Sequence, residues 1–374
     1  MKRKMALAFG VVLLVLVAAF SRPTYHYPSS AGLRQKAHYL ERIISQPEAE
    51  TPELLALNAE WSLFSMSYST YAFTNMAQLD SSFRPEAARY TSLAIHKMLT
   101  GSIAQAFRNP NAAVSSDSVT SVLYLGHLNL MLGCHLLLDP NSPYKSLHDS
   151  LSASLHRRLA AAPNHCLESY PGGVWVPDNT VALASLQLHS DLTGSPYRAF
   201  CQQWVAYARQ HLSDPTTGLL LSKPATRHQA AEEPRGSHLG WSVFFLYRFA
   251  PAYAAEQYQG YQQHFSTNFG ITRLYHERAG KYETREGDID SGPLILGYSI
   301  PANAFAFGNA VALGDWRNAQ RLRRVISFGS RELETPQEIS YGVRFVDLSV
   351  SPLAEALLLN AETMTPWQIP PKSK

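Results

Sequence analysis

The chain has 374 residues, of which 45% are hydrophobic, 16% charged and 11% aromatic. That much apolar material can offset the entropy of ordering the chain, which excludes a disordered protein. Lys and Arg total 32 against 29 Asp and Glu, a net charge of +3 with no basic run beyond the N-terminus, so nucleic acid is excluded as the expected partner.

Residues 1–4 carry three basic side chains, and residues 5–20 are an uncharged, mostly apolar run of 16. This order is that of a secretory signal peptide, assigned to residues 1–22. At ~1.5 Å per residue the run is short for a spanning helix, so cleavage is favoured over retention as an N-terminal anchor. The expectation is an exported protein, periplasmic or extracellular, that meets a membrane only through residues 5–20 if these are retained. Residues 23–374 then form one domain. Cys134, Cys166 and Cys201 permit one disulfide in an oxidising compartment, with the pairing left open. No Cys/His spacing suits a metal, and none is expected.

Apolar residues recur at helical spacing in twelve segments: 31–46, 52–78, 84–105, 117–138, 145–161, 178–191, 195–212, 237–249, 251–267, 291–313, 315–328 and 350–361. Stop and start signals mark the joints: Asp139, Pro140 and Asn141 end one helix, Pro251 opens another, and Gly314 and Asp315 separate two more. Strand-like stretches are few, at 218–223, 269–275 and 341–346. Twelve helices with short connections make six helical hairpins, and no repeat period points to a solenoid. The predicted fold is all-α: an (α/α)6 toroid with a few short strands in its loops. One end of such a ring is a bowl lined by loops that lead into helices.

Three of those loops carry chemistry-bearing residues. In residues 169–179, Asp178 and Asn179 follow a Gly172–Gly173 turn at the predicted start of a helix, with Tyr170 and Trp175 as a stacking wall. In residues 235–241, Arg235 offers a clamp, His238 a donor or acceptor and Trp241 a platform; Glu232 and Glu233 precede them. In residues 286–293, Glu286, Asp288 and Asp290 place three carboxylates within five positions. Their crowding is expected to raise the pKa of at least one, as a general acid near neutral pH requires. A calcium loop would need a longer ligand series. Two helical stripes also offer polar members, Glu60 with Phe64, Tyr68 and Tyr71, and Tyr124 with His127 and Asn129. His127 lies in an apolar helix and needs a partner. Nucleotide, flavin and nicotinamide fingerprints are absent, so no cofactor is expected.

The hairpin count, the turn from Asp214 to Leu219 and the loop from Arg235 to Trp241 resemble six-hairpin glycosidases, which implies acidic residues in the bowl acting on glycan bonds. A second resemblance runs over most of residues 23–374 and is to the linalool dehydratase-isomerase family, also an (α/α)6 fold. It is carried by residues 58–61, 124–129, 169–179 and 288–293. That family works with a His, matched by His127, and with two cysteines nine positions apart, whose places Ser169 and Asp178 take here. The resemblance therefore implies the scaffold and not thiol chemistry.

The expected activity is carboxylate acid/base catalysis on a carbohydrate or polyol, with Asp178 and Asp290 as the reacting pair and Asp288 and Glu286 tuning them. His127, Tyr170, Trp175, Asn179, Arg235, His238 and Trp241 are the expected substrate contacts. The alternatives are a lyase or isomerase on a small alcohol, and a non-catalytic glycan-binding protein of the envelope.

Overall fold

The computed structural model describes residues 28–47, 59–109, 111–280, 287–344 and 348–369. The leader at 1–22 and Glu286 lie outside the described residues. Among those described, no helix is long and apolar enough to cross a membrane.

Thirteen α-helices are present among the described residues: α1 Ser30–Ser45, α2 Ala59–Leu79, α3 Arg84–Leu99, α4 Gly101–Phe107, α5 Val122–Leu138, α6 Lys145–Ala161, α7 Val176–Thr193, α8 Tyr197–His211, α9 Gly236–Phe249, α10 Pro251–Phe265, α11 Ile300–Ala312, α12 Trp316–Gly329 and α13 Pro352–Thr363. Two antiparallel hairpins accompany them, β1 Ser266–Asn268 with β2 Arg273–Tyr275, and β3 Ser330–Glu334 with β4 Ile339–Val343.

Which helices go inside follows from their sequences. Every residue of α5 is buried, as are Val176 to Ser190 of α7; α5 is almost wholly apolar, and α7 carries no Asp, Glu, Lys or Arg between Asp178 and Ser190, so neither has a charged face for water. By contrast, α1, α8 and α12 bury a single stripe and expose the rest. The inner helices α2, α5, α7, α9, α11 and α13 pack each against the next, and α13 returns to α2 to close the ring. An outer helix packs on each inner one and returns the chain, so all six inner helices run the same way. Their N-termini share one end, and the bowl lies there. The chain is an (α/α)6 toroid, as its segment pattern predicts.

Capping chemistry fixes the ends. Ser121 accepts from the Tyr124 amide at the start of α5, and Ser299 and Ser351 do the same for α11 and α13. Gly126 lets α5 approach α7, since a Cβ there would lie 3.0 Å from the Ala182 nitrogen.

Several expectations need correction. The helix predicted over 84–105 breaks in two, because Gly101 takes the left-handed φ of 66°. The helix predicted from 291 begins only at Ile300, since left-handed Gly292 and Gly297 hold the preceding stretch as a loop. Residues 218–223 form isolated bridges only, Ser213 to Leu220 and Lys223 to Glu232. The stretch 269–275 supplies only the second strand of a hairpin, and β3 carried no readable strand pattern. Cys134, Cys166 and Cys201 are free and buried, so the permitted disulfide does not form.

The seam where the last helix meets the first is ionic. Lys36 on α1 is buried and donates to Tyr341 Oη at 2.6 Å and Glu362 Oε2 at 2.9 Å, while Arg323 pairs with Glu362 from the other side. Burial alone would lower the Lys36 pKa, but Glu362 and Tyr341 outweigh it and hold the ammonium above its ordinary range. Lys36→Met is expected to cost about 2 kcal/mol of stability, because Glu362 loses one charge-assisted hydrogen bond while Arg323 keeps it paired. Chemical denaturation measures this, and a change near zero would contradict it.

Candidate active site

The bowl gathers residues from four inner-helix entrances. Glu60 stands in the first turn of α2, Asp178 in the first turn of α7, His238 in the first turn of α9, and Asp290 in the loop that feeds α11. Their electrostatic influence is mutual: Glu60 and Asp290 act on Asp178, and Asp290 and His238 act on Glu60. The fold thus brings together carboxylates that lie more than a hundred residues apart in sequence.

Asp178 is not the helix cap. The cap position of α7 is Trp175, whose side chain makes no capping bond, and Asp178 sits three residues further in. Its carboxyl is buried, and burial pushes its pKa up to about 8; the Ser169 hydroxyl offsets part of this, while the Glu60 and Asp290 charges add to the rise. Asp178 is therefore protonated at neutral pH. Asp290 is in the opposite state. Burial pushes it upward, but the hydrogen bond from His238 Nε2 at 3.2 Å and the charges of His238 and Arg235 outweigh burial and hold it below the usual carboxylate value.

The acidic loop itself behaves contrary to expectation. Crowding does not raise Asp288 or Asp290; both are lowered, because burial is outweighed at Asp288 by Arg235 and the Ser291 hydrogen bonds, and at Asp290 by His238 and Arg235. The raised carboxyls of the site are Asp178 and Glu60, each in the first turn of a helix, the first buried and the second partly so. Glu60 accepts a hydrogen bond from the Tyr170 hydroxyl at 2.7 Å, so Tyr170 bridges the α2 and α7 entrances from a half-exposed position.

Arg235 is not free to clamp a ligand. It is buried, donates from Nε to Glu277 Oε1 at 2.7 Å and from Nη2 to Asp288 Oδ1 at 2.6 Å, and lies 3.6 Å from Glu232 and 3.7 Å from Asp290. Asp288 is likewise committed, since the same oxygen accepts from the Asp290 and Ser291 amides. Together they pin the loop that presents Asp290. Glu277, which no sequence signal marked, completes the bracket: it accepts from the Ser237 amide and hydroxyl at the start of α9. Gly236 is required beside it, because a Cβ there would meet the His276 carbonyl oxygen at 1.9 Å.

Asn179 is also corrected. Its amide accepts from the Leu167 amide and donates to the Leu167 and Trp175 carbonyls, so it ties the loop to α7 and has no donor left for substrate. Trp175 packs edge-on against Tyr170, and the Lys223 ammonium lies 4.6 Å over its ring. That contact covers one face of the ring. The ring also fills the space where a Gly173 side chain would be.

Beneath the carboxylates lies an aromatic floor. Phe64 and Tyr68 of α2, His127 of α5 and Trp241 of α9 hold ring centroids 5.0–6.3 Å apart. His127 is fully buried, and burial lowers its pKa to about 3, so the ring is neutral. Its Nδ1 lies 2.9 Å from the Tyr71 hydroxyl, the partner its position demanded. A neutral ring that accepts there carries its proton on Nε2. His127 Nε2, Tyr68 Oη, His238 Nδ1 and Trp241 Nε1 are buried with no hydrogen-bond partner among the described residues. Buried polar atoms are rarely left so unless a ligand or water meets them. Tyr124 and Asn129 do not contribute, since they bond to the Met98 carbonyl and to Ser152 and Ser185. No group of three metal-ligating side chains occurs among the described residues.

No protein-family model matches the chain. Solved structures resemble it over nearly their whole length. An unsaturated glucuronyl hydrolase specific for heparin shares 11% identity at a TM-score of 0.55, over 89% of this chain and 95% of that one. An inactive variant of the alpha-1,6-mannanase of Salegentibacter sp. HEL1_6, in complex with alpha-1,6-mannotriose, shares 10% at 0.54, over 90% and 99%. A polysaccharide lyase shares 12% at 0.54, over 90% and 97%. The chain has their fold. These three carry different reactions on one architecture, so the site and not the fold must decide the chemistry.

Proposed function

We propose that the chain is an exported enzyme acting on a glycan or polyol by carboxylate acid/base catalysis in the bowl of the toroid. The observation that carries this reading is the split between two carboxyls in one electrostatic field, Asp178 held protonated and Asp290 held ionised. Pairs whose environments push their pKa values apart divide into acid and base. Asp178 then protonates the departing oxygen, and Asp290 acts as base or nucleophile with His238 orienting it. Tyr170 and Glu60 flank the pair, and Trp241 offers an apolar face below. The glycan-active names of the structural neighbours support the substrate class.

Screening bacterial and plant polysaccharides and their oligosaccharides tests the reading. A substrate that is turned over should give a kcat/KM that falls above pH about 8, as Asp178 loses its proton. On the acid side the rate should hold to below the usual carboxylate value, because Asp290 stays ionised there. A basic limb near pH about 6 instead would contradict the assignment of the acid.

A second reading, a lyase or isomerase on a small alcohol, is favoured by the closed aromatic floor around neutral His127 and by Ser169 beside Asp178. It requires turnover of a small alkenol, which the first reading does not.

A further inference from the structure

The charges around the mouth carry the glycan reading one step further, to the kind of sugar admitted. Arg235 faces four carboxylates, Glu232, Glu277, Asp288 and Asp290, all within 3.7 Å. Lys223 and Arg278 are both held by Glu232, at 2.9 and 3.6 Å. Glu60, on the opposite side of the mouth, has no cationic side chain in ion-pair contact among the described residues. An anionic group entering here therefore meets Glu60 and Asp290 and finds each nearby described cation already engaged. Below the mouth, the polar atoms without partners are the Tyr68 hydroxyl and His127 Nε2, both fully buried, the Trp241 indole nitrogen, and Nδ1 of His238, whose other ring nitrogen is already held by Asp290. Neutral donors set among aromatic rings suit hydroxyl and ring oxygens, whereas a desolvated carboxylate needs a cation or an array of amides.

We infer that this site admits an uncharged sugar or polyol unit and rejects uronic acids. The inference rests on the glycan reading, and it separates this chain from a solved neighbour whose name makes it specific for heparin, a polyanion. Selectivity of this kind comes from repulsion built against the wrong ligand as much as from contacts to the right one.

Titration calorimetry on the full chain at neutral pH tests it, with methyl gluco-, galacto- and mannopyranosides each set against its 6-carboxylate. At least one neutral glycoside should bind, and its uronate should bind at least tenfold more weakly. The deficit should shrink at high salt, which screens the repulsion and leaves the neutral ligand unaffected. Glu60→Gln should narrow the same gap several-fold. A uronate that binds as tightly as its neutral counterpart would overturn the charge inference and leave the glycan reading standing. Binding of a small alkenol with no response to any pyranoside would overturn both.

Discussion

Asp178→Asn is expected to lower turnover by about 10²–10⁴-fold, the usual contribution of a positioned general acid, while making the protein more stable. The two effects have one cause. In the unfolded chain this carboxyl has a pKa of about 3.9, and in the folded chain burial raises it to about 8. Folding must therefore keep a proton on Asp178 that the unfolded chain gives up. The penalty is absent below the unfolded pKa and grows as pH rises, until it levels off above the folded one. At neutral pH it amounts to about a few kcal/mol. Asn has the same shape and no proton to lose, so the variant should melt higher near pH 7 and lose most of its advantage near pH 4. A residue retained for packing or capping alone would show the reverse pattern. Stability would fall and activity would survive.

Asp290→Asn is expected to abolish turnover to a similar extent, with the opposite effect on stability. Asp290 is ionised in the folded state with its pKa lowered, so its contribution is present above the unfolded value and is lost as pH falls through the folded one. The variant removes the acceptor of the His238 Nε2 hydrogen bond and one of the carboxylates around Arg235. Modest destabilisation follows at neutral pH, because the group is about a third exposed and solvent screens it. Thermal melts of both variants across pH separate the acid from the base without any knowledge of the substrate. Matching shifts in the two variants would contradict their division of roles.

Much of the architecture is legible in the sequence because helical hairpins obey local rules. Apolar runs such as that of α5, stops such as Asp139–Pro140, and openings such as Pro251 each act within a few residues of the features they define. The misreadings lie where backbone conformation is decided by single glycines. Gly101 splits a helix, and Gly292 and Gly297 delay another, although each sits in an otherwise helical pattern.

The site is legible in its residue types and much less so in their roles. Asp178, Asp290, His238, His127, Tyr170 and Trp241 all converge on the bowl. Arg235 and Asn179 look like ligand contacts in sequence, and Asp288 like a carboxylate tuning the reacting pair, because bracing a loop and serving a substrate call for the same hydrogen-bonding groups. Only the partners distinguish them, and those partners come from Glu277 and Leu167, distant or unremarkable in the chain. The rise expected from crowding in the acidic loop is absent for a related reason. Adjacent acids in sequence suggest repulsion, but Arg235 and a hydrogen bond from His238 at the α9 entrance hold that loop ionised, whereas Asp178 rises through burial with the Glu60 and Asp290 charges, and Glu60 through burial with the Asp290 charge. Burial of a single side chain is a property of the closed ring and has no local signature.

The account stands on the ionisation of one carboxyl. Carbon-13 NMR titration of aspartate-labelled protein, with the Asp178 resonance assigned by its loss in Asp178→Asn, measures this directly. The prediction is a carboxyl that stays protonated through neutrality and titrates near pH 8. Titration at the ordinary aspartate value, near pH 4, would leave the bowl without its acid and contradict the proposed chemistry.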